Sequence, residues 1–206
     1  MSCCTKRIYP KRICIFSGTF NPVHTAHLII AQAIKEEIGA DKVLLIPAFI
    51  PPHRDNDIAP PEDRMNMLKL AVAGNPDFEV SDIEYRRGGK SYTYLTVSEI
   101  IKTYTNSEID FVIGTDAFAH IDSWYEAEKL VKLVKFIIIP REENFNSVRF
   151  FEKIKLRDEI NYEVVKIPFM EISSSYVRSR IKSGKSVKYL VPQAVEEYIN
   201  EHNLFK

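Results

Sequence analysis

Two short runs carry the side chains in this sequence that could do chemistry. The first is Ser17-Gly18-Thr19-Phe20-Asn21-Pro22-Val23-His24-Thr25-Ala26-His27-Leu28. Gly18 permits a sharp backbone turn and Asn21-Pro22 makes a second one. A helix with isoleucines at its spacing follows, and His24 and His27, three residues apart, share one face of its first turn. Free backbone amides and the positive end of the helix dipole lie there too, which makes an anion site that needs no glycine-rich loop. Imidazoles can donate hydrogen bonds to phosphate oxygens whether neutral or protonated. Taken alone, the pair is equally readable as one capping and one core histidine. Zinc would need a third ligand, and His53, His120 and His202 offer no ligand spacing, so no metal site is assigned.

The second run is Ile172-Ser173-Ser174-Ser175-Tyr176-Val177-Arg178. Three serines at a helix start supply an N-cap and spare hydroxyls, and Arg178 shares a face with Ser174 four residues earlier. Hydroxyls, terminal amides and a guanidinium suit bidentate phosphate binding, although a capped surface helix with a solvated arginine has the same pattern.

These runs need a scaffold that brings them together. Short β-branched segments read as buried strands at 12–17, 42–47, 109–114, 135–140 and 162–168, with a weaker one at 78–81. Helical spacing marks 25–38, stopped by Gly39, and also 62–73, 93–104, 124–134 and 148–160. Alternation of this kind predicts an α/β fold, a Rossmann-like doubly wound parallel sheet that binds ligands at the carboxyl ends of its strands. Helices at 173–182 and 192–202 follow. The chain is therefore read as a single domain over 1–206, with a parallel α/β core at 12–168 and a C-terminal helical segment at 169–206. The loop 48–61 is stiffened by Pro51, Pro52, Pro60 and Pro61.

Composition narrows the function. Lys+Arg and Asp+Glu are 28 each, so net charge gives no pull toward nucleic acid or an anionic membrane. Only 7 glycines occur, none forming G-x-G-x-x-G, and Gly184-Lys185-Ser186 lacks the earlier glycine of a phosphate loop because position 179 is Ser. Cys3, Cys4 and Cys14 make neither a disulfide framework nor a zinc site, the longest apolar run is Phe136 to Ile139, and residues 1–12 lack the apolar stretch of a secretion signal. A cytoplasmic protein is the expectation.

The two runs together resemble a known family. G-T-F-N-P-V-H-T-A-H after the first strand and I-S-S-S-Y-V-R near the end look like the HxGH-type nucleotidylyltransferases, distant relatives of class I aminoacyl-tRNA synthetases. Further segments in register resemble, more narrowly, the bacterial nicotinate-nucleotide adenylyltransferase family: Ile46-Pro47 with Pro51-Pro52-His53-Arg54, Arg64-Met65 with Leu68, Ser91-Tyr92-Thr93, Gly114-Thr115-Asp116, Trp124-Tyr125, Val187 with Leu190-Val191-Pro192, and Tyr198-Ile199. The likeness spans roughly residues 12–205. Ala26 stands where the family usually has Gly, which adds a methyl near the nucleotide; Asn21 replaces a frequent Asp, and Ser175 a commoner Thr.

The resemblance implies transfer of AMP from ATP to nicotinate mononucleotide, giving nicotinate adenine dinucleotide and pyrophosphate, a step of NAD biosynthesis, by in-line attack without a covalent intermediate. By the matching positions, His24, His27 and Arg178 are catalytic, and Gly18, Thr19, Phe20, Gly114, Asp116, Ser173, Ser174 and Ser175 bind ATP. Thr93, Trp124, Tyr125, His53 and Arg54 bind the mononucleotide, and Mg²⁺ arrives with the ATP phosphates. The alternatives are a sister enzyme using nicotinamide mononucleotide or phosphopantetheine, and a non-catalytic nucleotide sensor. Oligomeric state is not legible.

Overall fold

In a computed structural model, which describes residues 10–52, 57–142, 144–168 and 170–206, six strands form one parallel sheet. They are β1 (Arg12–Gly18), β2 (Lys42–Pro47), β3 (Phe78–Val80), β4 (Glu108–Gly114), β5 (Lys135–Ile139) and β6 (Tyr162–Val164), in the order β3-β2-β1-β4-β5-β6. The chain winds outward from β1 to β3, returns to the other side of β1 as β4, and winds outward again. Strand order therefore reverses between β1 and β4, the place where such sheets open a ligand crevice. This is the expected doubly wound architecture.

Strand periodicity divides the core. Cys14, Val43, Leu45, Val112, Ile137 and Ile139 face one side of the sheet, and Ile13, Ile15, Leu44, Ile46, Phe111, Phe136 and Ile138 the other. The first side is covered by α1 (Thr25–Ile38) and α2 (Pro61–Val72), and the second by α3 (Ile83–Arg87), α4 (Thr93–Thr103), α5 (Thr115–Phe118), α6 (Ala127–Leu130) and α7 (Ser147–Phe151). Burying each large aliphatic side chain is worth roughly 1.5–3 kcal/mol. In α1, Ile30, Ile34 and Ile38 supply that burial, and Gly39 at φ 65° ends the helix in the left-handed conformation that suits glycine.

Three expected elements differ. The helix expected at 124–134 shrinks to a 3₁₀ turn (Ile121–Ser123) and α6, because Trp124 is extended and Glu126 is left-handed at φ 55°. The helix expected at 148–160 stops after α7: the carboxylate of Asp122 accepts the amides of Lys155 and Leu156 (2.9 and 3.1 Å), which takes both out of any helical ladder. β6 ends at Val164 rather than at Pro168, and the five-residue α3 had no expected counterpart.

The C-terminal helices α8 (Ser174–Lys182) and α9 (Gln193–Glu201) share the first core. Val177, Val187, Val191, Val195 and Ile199 pack with α1 and with Met67 and Leu68 of α2, and the Tyr198 hydroxyl donates to Asp63 (2.8 Å). Across the sheet's opposite end, Arg12 at the start of β1 donates to the buried carboxylate of Asp110 on β4 (2.6 Å) and to the Ile38 carbonyl. Replacing Asp110 by Ala leaves that guanidinium with the Ile38 carbonyl alone, and a loss of about 2 kcal/mol in urea unfolding is expected, with Asp110→Asn losing less.

Candidate active site

The site grows from the carboxyl end of β1. The Gly18 carbonyl accepts the Ala48 amide (2.9 Å), so β1 and β2 stay paired to their ends. The chain then turns through Phe20, held at φ 47°, and a cis Asn21–Pro22 peptide before entering α1. Phe20 is buried and presents its ring edge to His27 at 5.0 Å, with Phe16 on the same imidazole at 6.0 Å. His24, the extended N-cap residue, stacks on His27 with ring centroids 3.6 Å apart.

This packing sets the charge state. Burial first, and the nearby Arg141 guanidinium second, bring His24 down to about 4. His27 lies well below the usual imidazole range because of burial, then His24, then Arg141. Both rings are neutral at pH 7. The His24 amide donates to Nδ1 of His27 (3.2 Å), so the proton of that neutral ring sits on Nε2, as a hydrogen-bond donor. The helix amides contribute less than the sequence suggests: the Thr25 amide is already given to the Leu190 carbonyl (2.8 Å), and that of His24 to His27. Anion binding at this end therefore falls mainly to side chains.

Those side chains converge. Arg178 of α8 donates from Nη1 to the Asn21 carbonyl (2.9 Å), and the Ser174 hydroxyl to the Pro22 carbonyl (2.9 Å), which puts the serine-arginine run against the loop leading into His24. Ser173 caps α8 by accepting the Tyr176 amide, and the exposed Ser175 lies 3.0 Å from it. Ala26 is buried, its methyl covered by protein.

Gly114 and Asp116 stand at the carboxyl end of β4, beside the reversal point. The Thr115 hydroxyl accepts the Arg141 amide (3.1 Å), and Asp116 pairs with the Arg141 guanidinium (3.7 Å). A Cβ at 114 would meet Asp116 Oδ1 at 2.5 Å and Arg141 Nε at 2.8 Å, so a side chain there would push this ion pair aside. Thr93 opens α4, and the ring of Tyr125 stacks on that of its neighbour Tyr92 (4.6 Å). Trp124 lies next in the chain to that pair and lines a cavity with Asp122, Glu126 and Leu156. His53 and Arg54 lie outside the described residues, as do Cys3 and Cys4; Cys14 is buried in β1, and burial pushes its thiol up.

Sequence reasoning missed three residues. Arg141 stands two residues beyond the end of β5, and the adjacency of β5 to β4 brings it beside Thr115 and Asp116, which no local pattern announces. Asp57 ties Lys182 (2.5 Å) and Arg178 (3.5 Å) to the proline-rich loop. Arg64, quoted only as part of a motif, is a fully buried guanidinium behind the site. Among the described residues no group of three His, Cys, Asp or Glu is placed to hold a metal, and no helix is long and apolar enough to cross a membrane.

Comparison with known proteins places this geometry. The Cytidylyltransferase-like family matches residues 15–180. A probable nicotinate-nucleotide adenylyltransferase of Caldicellulosiruptor saccharolyticus is 38% identical over 95% of this chain and 99% of its own length. One from Desulfitobacterium hafniense is 40% identical over 96% of this chain and 97% of its own. Among solved structures, the nicotinic acid mononucleotide adenylyltransferase of Plasmodium falciparum complexed with NaAD superposes with a TM-score of 0.78 at 24% identity, covering 95% of this chain and 97% of that one, a likeness of fold.

The neutral His24 predicts a pH dependence. Above pH 6.5 the ring is uncharged in folded and unfolded chains alike. Between 6.5 and about 4 the unfolded chain takes up a proton that the folded chain refuses, so stability falls with falling pH, by up to about 3 kcal/mol at the lower end of that window. Thermal unfolding at pH 7 and pH 4.5 is expected to show a smaller acid-induced drop in His24→Gln than in the parent chain; equal drops would contradict the buried neutral imidazole.

Proposed function

The chain belongs to the nicotinate-nucleotide adenylyltransferases, within the cytidylyltransferase-like proteins, and on that premise we propose that it joins ATP and nicotinate mononucleotide to give nicotinate adenine dinucleotide and pyrophosphate. The observation that carries this reading is the convergence of His24, His27 and Arg178 on the loop between β1 and α1, at the point where strand order reverses.

The acceptor is a phosphate monoester, mostly dianionic at pH 7 because its second pKa is near 6. It needs no general base. One of its oxygens attacks the α-phosphorus in line, the bond from that phosphorus to the α,β-bridging oxygen breaks, and pyrophosphate carries the electron pair away. The barrier is electrostatic, since a dianion approaches a polyanion and charge grows on the leaving oxygen. Preorganised donors are the remedy. Nε2–H of His27 is aimed by the His24 amide and costs no proton transfer to use. His24 adds a second imidazole, and Gly18, Thr19 and Phe20 present backbone to ATP. Arg178 with Ser173, Ser174 and Ser175 holds the β- and γ-phosphates, and Mg²⁺ enters bound to those phosphates as part of the substrate. Gly114, Asp116 and Arg141 frame the adenosine end.

At the acceptor end Thr93, Trp124 and Tyr125 take the pyridine ring and its carboxylate, and His53 and Arg54 keep the mononucleotide-binding role that the family resemblance gives them. Aromatic faces stack on the ring, and donors near Thr93 favour a carboxylate over an amide whose NH₂ would face them.

The decisive measurement is product identification after mixing the protein with ATP, Mg²⁺ and each of nicotinate mononucleotide, nicotinamide mononucleotide and phosphopantetheine. The nicotinate dinucleotide is expected to dominate; a different product reassigns the acceptor, and tight ATP binding with no product identifies a sensor. His27→Ala is expected to lower kcat by ~10²-fold or more with the fold retained, in line with losing one transition-state donor. Trp124→Ala is expected to raise the KM for the mononucleotide far more than that for ATP. Equal effects on the two would remove the indole from the acceptor site.

A further inference from the structure

Two charges deep in the molecule are not used by the chemistry above. Arg64 on α2 is 1% exposed and Glu84 on α3 is 3% exposed. Burying a guanidinium or a carboxylate costs several kcal/mol even after relaxation, and apolar residues often fill such space with less penalty. What these two hold is therefore informative.

Arg64 spends its donors on backbone carbonyls from separate parts of the chain. Nε donates to Ala59, Nη1 to Thr19 and Ala48, and Nη2 to Phe49 (3.0 Å). Glu84 takes the other side of Phe49. Its Oε2 accepts the Phe49 amide (3.2 Å), and its Oε1 accepts the hydroxyl of Thr96 on α4 (2.6 Å). Arg87 completes the set by donating to the Thr96 hydroxyl (3.0 Å) and to Glu99 (3.2 Å). The two buried charges thus grip the carbonyl and the amide of one residue in the loop after β2. Next to it, Ile50 bridges to Lys90, and its carbonyl accepts the Ser91 amide (3.0 Å), two residues before Thr93.

We infer that Arg64 and Glu84 are positioning residues that hold the loop after β2 as a wall common to both substrate sites. Arg64 fixes this wall to the nucleotide loop at Thr19, and Glu84 fixes it to the acceptor side at α4. The inference rests on the function proposed above. Neither residue touches a reacting atom. Each acts through peptide groups: Thr19 lies on the ATP side, and Ile50 and Ser91 lie beside the start of the helix that carries Thr93. Only a planar fork with five donors can serve four carbonyls at once, so lysine cannot replace Arg64.

Steady-state kinetics on the full chain tests this. Glu84→Ala is expected to raise the KM for nicotinate mononucleotide about tenfold with the KM for ATP within about twofold. Glu84→Gln, which keeps an oxygen for the Phe49 amide, is expected to recover most of that loss. Arg64→Lys, which loosens both sides, is expected to raise both KM values and lower kcat about tenfold, as a misplaced site does. A merely structural pair would lower the unfolding temperature and leave KM unmoved well below it, so Glu84→Ala with a lowered melting point and an unchanged mononucleotide KM overturns the inference. If that variant does not fold, Thr96→Val, which cuts the tie to α4 at nearly constant volume, is expected to raise the same KM about threefold, and no change overturns it. Failure of the wild-type chain to form any dinucleotide would instead refute the proposed function. In that event amide hydrogen exchange decides about the wall: Phe49 and Ser91 are expected to exchange at least tenfold faster in Glu84→Ala or Thr96→Val, with the strand amides of Ile15 and Leu44 unchanged, and unaltered Phe49 exchange overturns it.

Discussion

Everything at the site depends on α8 being pinned to the loop that leaves β1. Arg178 and Asn21 are 157 residues apart in the chain, and one guanidinium-to-carbonyl bond joins them. That bond is oriented and sustained by the apolar contacts of Val177 one residue earlier and of Val187, Val191 and Val195 beyond it, all in the same core as Ile30 and Ile34 of α1. The energetics are lopsided. A hydrogen bond from a charged guanidinium contributes about 1.5–3 kcal/mol net, about as much as one buried valine, and four valines are buried here. Packing therefore places the arginine, and the hydrogen bond sets its angle. The polar cluster at the mouth of the sheet exists because an apolar one lies beneath it.

The second constraint is electrostatic. Burial first, and the field of Arg141 behind it, keep both histidines neutral, with Phe16 and Phe20 packed on the His27 ring and His24 stacked on its face. The permanent positive charge is carried by Arg178 and Arg141. The division is physically sensible. A guanidinium attracts an anion over distance, while a neutral imidazole with a fixed Nε2–H offers a short, directional donor. The Thr25 amide, occupied by the Leu190 carbonyl, is part of the same economy, since the C-terminal segment is held to the helix start at the expense of a free helix donor.

Much of this was legible beforehand because it is written in local patterns. The strands that became β1, β2, β4 and β5 announced themselves as β-branched runs, and their alternation with helices implied the parallel sheet. Gly39 ended α1 as a left-handed glycine should. The H-x-x-H and S-S-S-x-x-R runs named residues that the fold does bring together. What escaped the sequence are effects in which a distant group overrides local preference. The run 148–160 has helical spacing, yet one carboxylate, that of Asp122, takes two of its amides. Arg64 sits within an ordinary amphipathic pattern, and nothing in its neighbours says that its guanidinium reaches, besides the nearby Ala59 carbonyl, those of Thr19, Ala48 and Phe49. Arg141 becomes visible only once β4 and β5 are known to be adjacent.

The departures from the family pattern follow the same logic of compensation. Asn21, one departure from the pattern that the sequence resembles, uses its amide at both ends. Nδ2 donates to the Asp57 carbonyl (2.8 Å), and Oδ1 accepts the Ala59 amide (2.9 Å). A carboxylate could make only the second bond, and it would add a negative charge beside Asp57 in a cleft meant for phosphate. With asparagine, the Asp57 side chain is left to Lys182 first and Arg178 second, which hold its carboxyl below the usual range. The substitution therefore leaves the cleft one negative charge poorer and the proline-rich loop one hydrogen bond richer. Asn21 thus ties the proline-rich loop to the turn ahead of α1 through both ends of its amide, and it does so without placing a second negative charge beside Asp57.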